Sequence, residues 1–121
     1  MGRAVIIDES VLKWQSAHKT GWPGATIGQP DVRYKLLSSE REGGPNIQLA
    51  EYEAQHVEPP HSHPHDEILY ILDGGGTFGD RDLRAGLLLF IEKDTVYGPI
   101  ISGDHGMKFL RVQMSDYSGP K

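Results

Sequence analysis

The sequence predicts an all-β domain, and three observations carry that prediction. The 121 residues include 15 glycines and 8 prolines, well above the roughly 12% that these two types average together. They fall between short apolar runs of strand length, the punctuation of many strands joined by turns. Only one stretch, Glu9–Gln15, reads as helical, with Ser10 placed to cap a single turn.

The elements follow in order. Val5–Ile7 is a short apolar strand ahead of the helical turn. Arg33–Leu37 alternates Arg33 and Lys35 with Tyr34 and Leu36; the basic pair faces solvent or holds an anion, and solvent is the simpler assignment. Ser38–Pro45 is a polar loop that runs into the turn Gly44-Pro45-Asn46. In Ile47–Ala54, Gln48, Ala50, Tyr52 and Ala54 share one face, and Ile47, Leu49, Glu51 and Glu53 the other. With the first set inward, Gln48 and Tyr52 line a pocket as substrate-binding residues. Glu58–His63, Ile68–Leu72, Thr77–Phe78, Leu83–Arg84 and Leu87–Ile91 follow as strands. The glycine-rich run Gly74–Gly79 has no helix after it, so it reads as a turn with close backbone approach rather than a phosphate loop. Gly103–Gly106 reads as a hairpin connection, and Lys108–Met114 as the last strand.

Two of these strands, Ile68–Leu72 and Leu87–Ile91, are apolar at every position. A strand with one face in water alternates, so both faces of these two are expected to be covered. Residues 1–37 wrapping over the outer face, or a second subunit in a homodimer, would each supply the cover.

Bulk properties set further bounds. A chain of this length makes one domain with one core. There are no cysteines, so neither disulfides nor thiolate metal sites are available. Twelve basic against 17 acidic residues give a net charge of -5, which repels nucleic-acid phosphates. No apolar run approaches the roughly 18 residues of a membrane span, and the start is too weakly apolar for a signal peptide. The expected setting is cytoplasmic, with neither nucleic acid nor membrane as a partner.

The chemistry concentrates between His61 and Gly74. On an extended segment, His61 and His63 point to one side. Pro64 then ends regular pairing, and a turn can return Glu67 to the same point. Two imidazoles and one carboxylate form a facial set that leaves metal positions open. Solvated residues of a proline-rich loop are the plainer alternative. His65 shares the spacing but is separated by Pro64, so it reads as exposed or as a neighbour of the ligands. His18, His56 and His105 read as surface residues. No G-x-S-x-G elbow supports nucleophilic catalysis.

The pattern H-x-H, three residues, E, six residues, G resembles the first motif of the cupin superfamily, and His61, His63, Glu67 and Gly74 match it without a gap. The second motif, G, five residues, P-x-G, two residues, H, is matched at Gly86 and in spacing. Glu92 stands for the proline, Asp94 for the second glycine and Tyr97 for the histidine that is the fourth ligand. The resemblance implies a single RmlC-like cupin barrel, a small jelly-roll-like sandwich. Residues 1–37 would be an N-terminal arm and strand, and 47–114 the barrel. It also implies one divalent transition metal (Fe, Mn, Ni, Zn or Cu) on His61, His63 and Glu67, and a small-molecule substrate inside the barrel. Tyr97 would ligate the metal as phenolate, act as catalytic acid or base, or merely pack. The expected function is a metal-dependent enzyme, of the Fe(II) oxygenase type from its ligand set. The alternatives are a non-redox lyase, dehydratase or isomerase using Tyr97, and a non-catalytic ligand-binding module.

Overall fold

The computed structural model describes residues 2, 4–16, 32–38 and 45–114. Eight strands occur in them: β1 (Gln15–Ser16), β2 (Val32–Ser38), β3 (Asn46–Tyr52), β4 (Val57–Glu58), β5 (Glu67–Phe78), β6 (Arg81–Arg84), β7 (Leu88–Ile91) and β8 (Ile100–Gln113). All pair antiparallel in the order β1-β2-β3-β8-β5-β6, with β4 on β8 and β7 on β5. This is the all-β barrel architecture expected.

Burial alternates along the central strands and defines the interior. In β5, Glu67, Leu69 and Ile71 are buried, while Tyr70 and Leu72, on the other parity, are exposed. In β8, Met107, Phe109 and Arg111 are buried. In β3, Ala50 and Tyr52 are buried, on the same parity as Gln48. The packed core gathers Val32, Ala50, Tyr52, Leu69, Ile71, Ile100, Met107 and Phe109 with Leu83, Ile91 and Tyr97. Each large apolar side chain removed from water there contributes about 1.5–3 kcal/mol.

Several expectations need correction. The segments Ile68–Leu72 and Thr77–Phe78 are one continuous strand, β5. Its glycines are strand residues in a squeeze: a Cβ on Gly75 would collide with the Leu83 carbonyl, and one on Gly76 with that of Ile101. Gly103–Gly106 is not a hairpin but lies inside β8, which bends there, with Gly106 at φ 73°. Beyond the bend β8 changes one neighbour, from β4 to β3. Glu9–Gln15 is not an α-helix. Glu9–Val11 makes one 3-10 turn, and Asp8 rather than Ser10 caps it by accepting from the Ser10 N–H. Val5–Ile7 belongs to no strand.

The outer face is covered only in part. Lys35 is buried, against the solvent placement expected, because its ammonium donates to Glu9 and lies over the Trp14 ring. Residues 9–16 thus cover β2 and its neighbours. The outer side of β5 and β7 stays open, with Tyr70, Leu72, Leu88 and Phe90 exposed. His18, residues 39–44 and the rest of the N-terminal segment, 17–31, lie outside the described residues. No helix of the described chain is long and apolar enough to cross a membrane.

Candidate functional site

The H-x-H segment is held by backbone pairing to the turn before Tyr97. His61 and Tyr97 exchange two N–H···O=C bonds, 3.1 and 2.9 Å, and the Asp94 N–H donates to the His63 carbonyl at 2.8 Å. Asp94 sits at φ 62°, where its short polar side chain is tolerated and glycine is the easier choice. This explains why a motif glycine can be replaced by aspartate here without losing the turn.

That pairing brings three rings together. The His61 and His63 centroids are 4.8 Å apart, and His61 lies 4.7 Å from Tyr97. His61 Nδ1 meets the Pro59 carbonyl at 2.7 Å. A carbonyl only accepts, so Nδ1 carries the proton and Nε2 keeps its lone pair in the neutral ring. His63 Nε2 is buried without a hydrogen-bond partner and stands 3.8 Å from Glu67 Oε2. Burial above all pushes the His63 pKa down, which favours the neutral, ligating imidazole. His65 stacks on His63 at 6.1 Å, beside the pair, as expected of a neighbour.

Glu67, at the start of β5, is 1% exposed and bonded on both oxygens. The Tyr97 hydroxyl donates to Oε1 at 2.6 Å and Gln113 Nε2 to Oε2 at 2.8 Å. Arg111 Nε lies 3.6 Å from Oε2. Burial alone would raise the Glu67 pKa; the Arg111 guanidinium and the two donors outweigh it and hold the carboxyl below its usual range. Tyr97 is pushed the other way, by burial and by the Glu67 charge. It therefore stands as a neutral donor, stacked on Phe78 at 5.7 Å.

Strand register places the remaining wall. Asn46 faces Gln113, which faces Glu67, and Gln48 faces Arg111. Asn46 Oδ1 and Gln48 Oε1 are buried with no hydrogen-bond partner, an exception to the usual pairing of buried polar groups. Tyr52 lies deeper, packed edge-on against Phe109 and tilted against His56.

Three residues escaped the sequence reading. Arg111 and Gln113 lie in a strand whose polar residues fall on both parities, so no pattern marked them. His56 is 3% exposed rather than on the surface. Its N–H donates to Ser102 Oγ at 2.8 Å, and its ring meets Glu58 at 3.3 Å.

As placed, no three His, Asp or Glu side chains among the described residues close into a metal cage. The donors nevertheless fit a divalent transition ion in kind. Two imidazoles stand together, one with an orphaned buried nitrogen. The carboxylate has about four acceptor positions, of which the hydrogen bonds from Tyr97 and Gln113 use two.

Comparison with known proteins places the chain. A family model described as "Cupin domain" matches residues 48–113, more than half of the chain. The polyketide cyclase RemF from Streptomyces resistomycificus is similar in structure, with a TM-score of 0.70 and 19% identity over 94% of this chain and 81% of that one. A predicted oxalate decarboxylase from Thermotoga maritima gives 0.67 and 20% over 91% and 98%. The complex of Rhodobacter sphaeroides SigE with the anti-sigma ChrR gives 0.63 and 16% over 85% of this chain but 50% of that one, so this chain spans half the length of that match. At such identities the likeness is one of fold. None of the curated proteins compared matches. The motif residues, the antiparallel barrel and the family match agree: this chain belongs to the cupin family.

Proposed function

We propose that this cupin is a metal-dependent enzyme acting on a small organic molecule inside the barrel. His61, His63 and Glu67 would hold one divalent transition metal, and Tyr97 would serve the substrate as a proton or hydrogen-bond donor. The observation that carries the reading is the buried, unpartnered His63 Nε2 beside His61, whose other nitrogen is already anchored. An imidazole nitrogen kept dry and unbonded is costly unless something binds it. The likeness to a polyketide cyclase and a predicted oxalate decarboxylase supports a small organic substrate.

When bound, the metal would supply Lewis acidity at a substrate oxygen. The chain's own residues do the rest. Gln48 and Asn46 offer buried amides that orient the polar groups of the guest. Arg111 keeps Glu67 ionised, and Gln113 fixes its orientation. The Tyr97 hydroxyl, 2.6 Å from Glu67, gives up its hydrogen bond to the carboxylate when it turns to a substrate oxygen. A tyrosine hydroxyl that bears its proton, held by an ionised carboxylate, supports non-redox lyase, dehydratase or isomerase chemistry over the oxygenase class suggested by the ligand set.

The test is elemental analysis of untagged protein beside His61→Ala and His63→Ala, with circular dichroism to confirm folding. One equivalent of a transition metal per chain, lost in both variants, is the expected result. Full metal retention in both folded variants, or no binding of any divalent ion by the parent, would overturn the metal assignment. Oxygen consumption with a candidate substrate would return the reaction to the oxygenase class.

A further inference from the structure

Two carboxylates act on the buried Arg111 guanidinium, Glu67 from β5 and Glu58 from β4. Glu67 Oε2 lies 3.6 Å from Arg111 Nε. Glu58 reaches the interior by register. It stands opposite Ile100, which is buried in the core, and residues directly opposed in an antiparallel ladder share a face. Its carboxylate is largely buried and meets the His56 ring, with Nε2 3.3 Å from Oε2. His56 is pinned in turn. Its N–H donates to Ser102 Oγ at 2.8 Å, and its carbonyl accepts from the Ser102 N–H at 3.0 Å. The Tyr52 ring packs 4.4 Å from the His56 ring, and the Tyr52 hydroxyl lies within the fields of both Arg111 and Glu58. A line of neighbours therefore runs from Glu58 through His56 and Tyr52 to Arg111.

This second carboxylate meets a need that the first creates. As placed, Glu67 serves Tyr97, Gln113 and Arg111 together. A divalent ion on Glu67 Oε2 would share that oxygen with the guanidinium. Like charges so close in a poorly solvated interior repel by far more than thermal energy. A buried guanidinium left without any carboxylate is also costly. An ion on Glu67 is therefore compatible with a charged Arg111 only if another anion holds the guanidinium.

We propose, on the metal assignment made above, that Glu58 is this anion: held by His56, it takes over Arg111 when Glu67 binds the ion, and so acts as a positioning residue that sets metal affinity. The exchange needs only a turn of the Arg111 side chain. Its guanidinium already lies over the Phe109 ring, at 5.5 Å, on the strand face that Tyr52 and Gln48 share from β3. Glu58 thus reaches the ion through Arg111. His56, buried and otherwise without a part in the site, keeps the Glu58 carboxylate aimed inward.

Zinc binding by the full chain, read by competition with a chromogenic chelator, tests this. Glu58→Gln should weaken zinc binding about tenfold, the usual scale for residues that support metal ligands, with stoichiometry and circular dichroism unchanged. Glu58→Asp keeps the charge and should recover most of the loss, which a packing role would not. Arg111→Gln removes the competitor. It should bind zinc at least as tightly as the parent, and adding Glu58→Gln to it should cost less than about twofold, since coupled residues are not additive. Should Arg111→Gln fail to fold, the two single Glu58 variants decide. Parent-like affinity in Glu58→Gln would overturn the proposal and leave the metal assignment standing. So would a Glu58→Asp variant as weak as Glu58→Gln. The full loss persisting without Arg111 would also overturn it, because Glu58 would then act on the ion directly. A parent chain that binds no zinc would overturn the metal assignment and this proposal with it.

Discussion

The candidate site has two sides that are built differently. On the strand side, Glu67 is nearly inaccessible and bonded to Tyr97 and Gln113, with Arg111 beside it. On the rim side, His61 and His63 are half-buried and are held by backbone pairing to the Asp94–Tyr97 turn. Their ring nitrogens enter little of the internal network: one meets a loop carbonyl, and one meets nothing. Under the proposed function, the strand side would therefore carry stability as well as chemistry, and the rim side chemistry almost alone. One motif thus spans a structural anchor and an adaptable pair.

The most direct way to break this contrast is to remove the anchor. Glu67→Ala leaves the Arg111 guanidinium buried without its carboxylate, which costs about 3–5 kcal/mol. The urea midpoint should fall accordingly, or the variant should fail to fold. A loss under about 1 kcal/mol would mean that the buried pair is not an anchor. Tyr97→Phe comes next. It removes one hydrogen bond to a charged acceptor, worth about 1.5–3 kcal/mol. Under the proposed function it also abolishes turnover while metal stoichiometry stays near that of the parent. Unchanged turnover would remove Tyr97 from the chemistry and leave it a packing role against Phe78.

His61→Ala and His63→Ala should sit at the other end, within about 1 kcal/mol of the parent in metal-free protein. The same variants should lose the added stability that excess metal gives the parent, since a ligand stabilises only the state that binds it. Melting each protein with chelator and with metal reads both effects at once. A metal-free loss as large as that of Glu67→Ala would erase the distinction between the two sides.

What the sequence disclosed follows the same division. His61, His63 and Glu67 were legible because their spacing is local: a short extended segment, a proline and a turn suffice to relate them. The all-β class was legible from glycine and proline punctuation. Arg111 and Gln113 were hidden, because Lys108 to Gln113 carries polar groups on both parities and only pairing with β3 and β5 decides which turns inward. His56 was misread because Ser102, which accepts from its N–H, lies far along the chain and reaches it only through the fold. The bend in β8 looked like a turn because Gly106 serves there to let the Tyr52 carbonyl approach, a need that arises only between strands distant in sequence. The apolar runs of β5 and β7 were read as doubly covered. Their inner faces are covered, while on their outer faces Tyr70, Leu72, Leu88 and Phe90 are exposed.

The smallest effect concerns the turn that carries the rim. Asp94 holds φ 62°, a conformation that costs a residue with a Cβ about 1–2 kcal/mol and glycine almost nothing. Its side chain makes no hydrogen bond among those described, while its N–H secures the His63 carbonyl. Asp94→Gly keeps that N–H and relieves the strain, but it also frees the unfolded chain, which offsets part of the gain. The expected result is a stabilisation of no more than about 1 kcal/mol. Metal affinity should be unchanged, because the backbone bond that positions His63 survives. Destabilisation would mean that the Asp94 carboxylate contributes to the turn, and the rim would then depend on side chains as the strand side does.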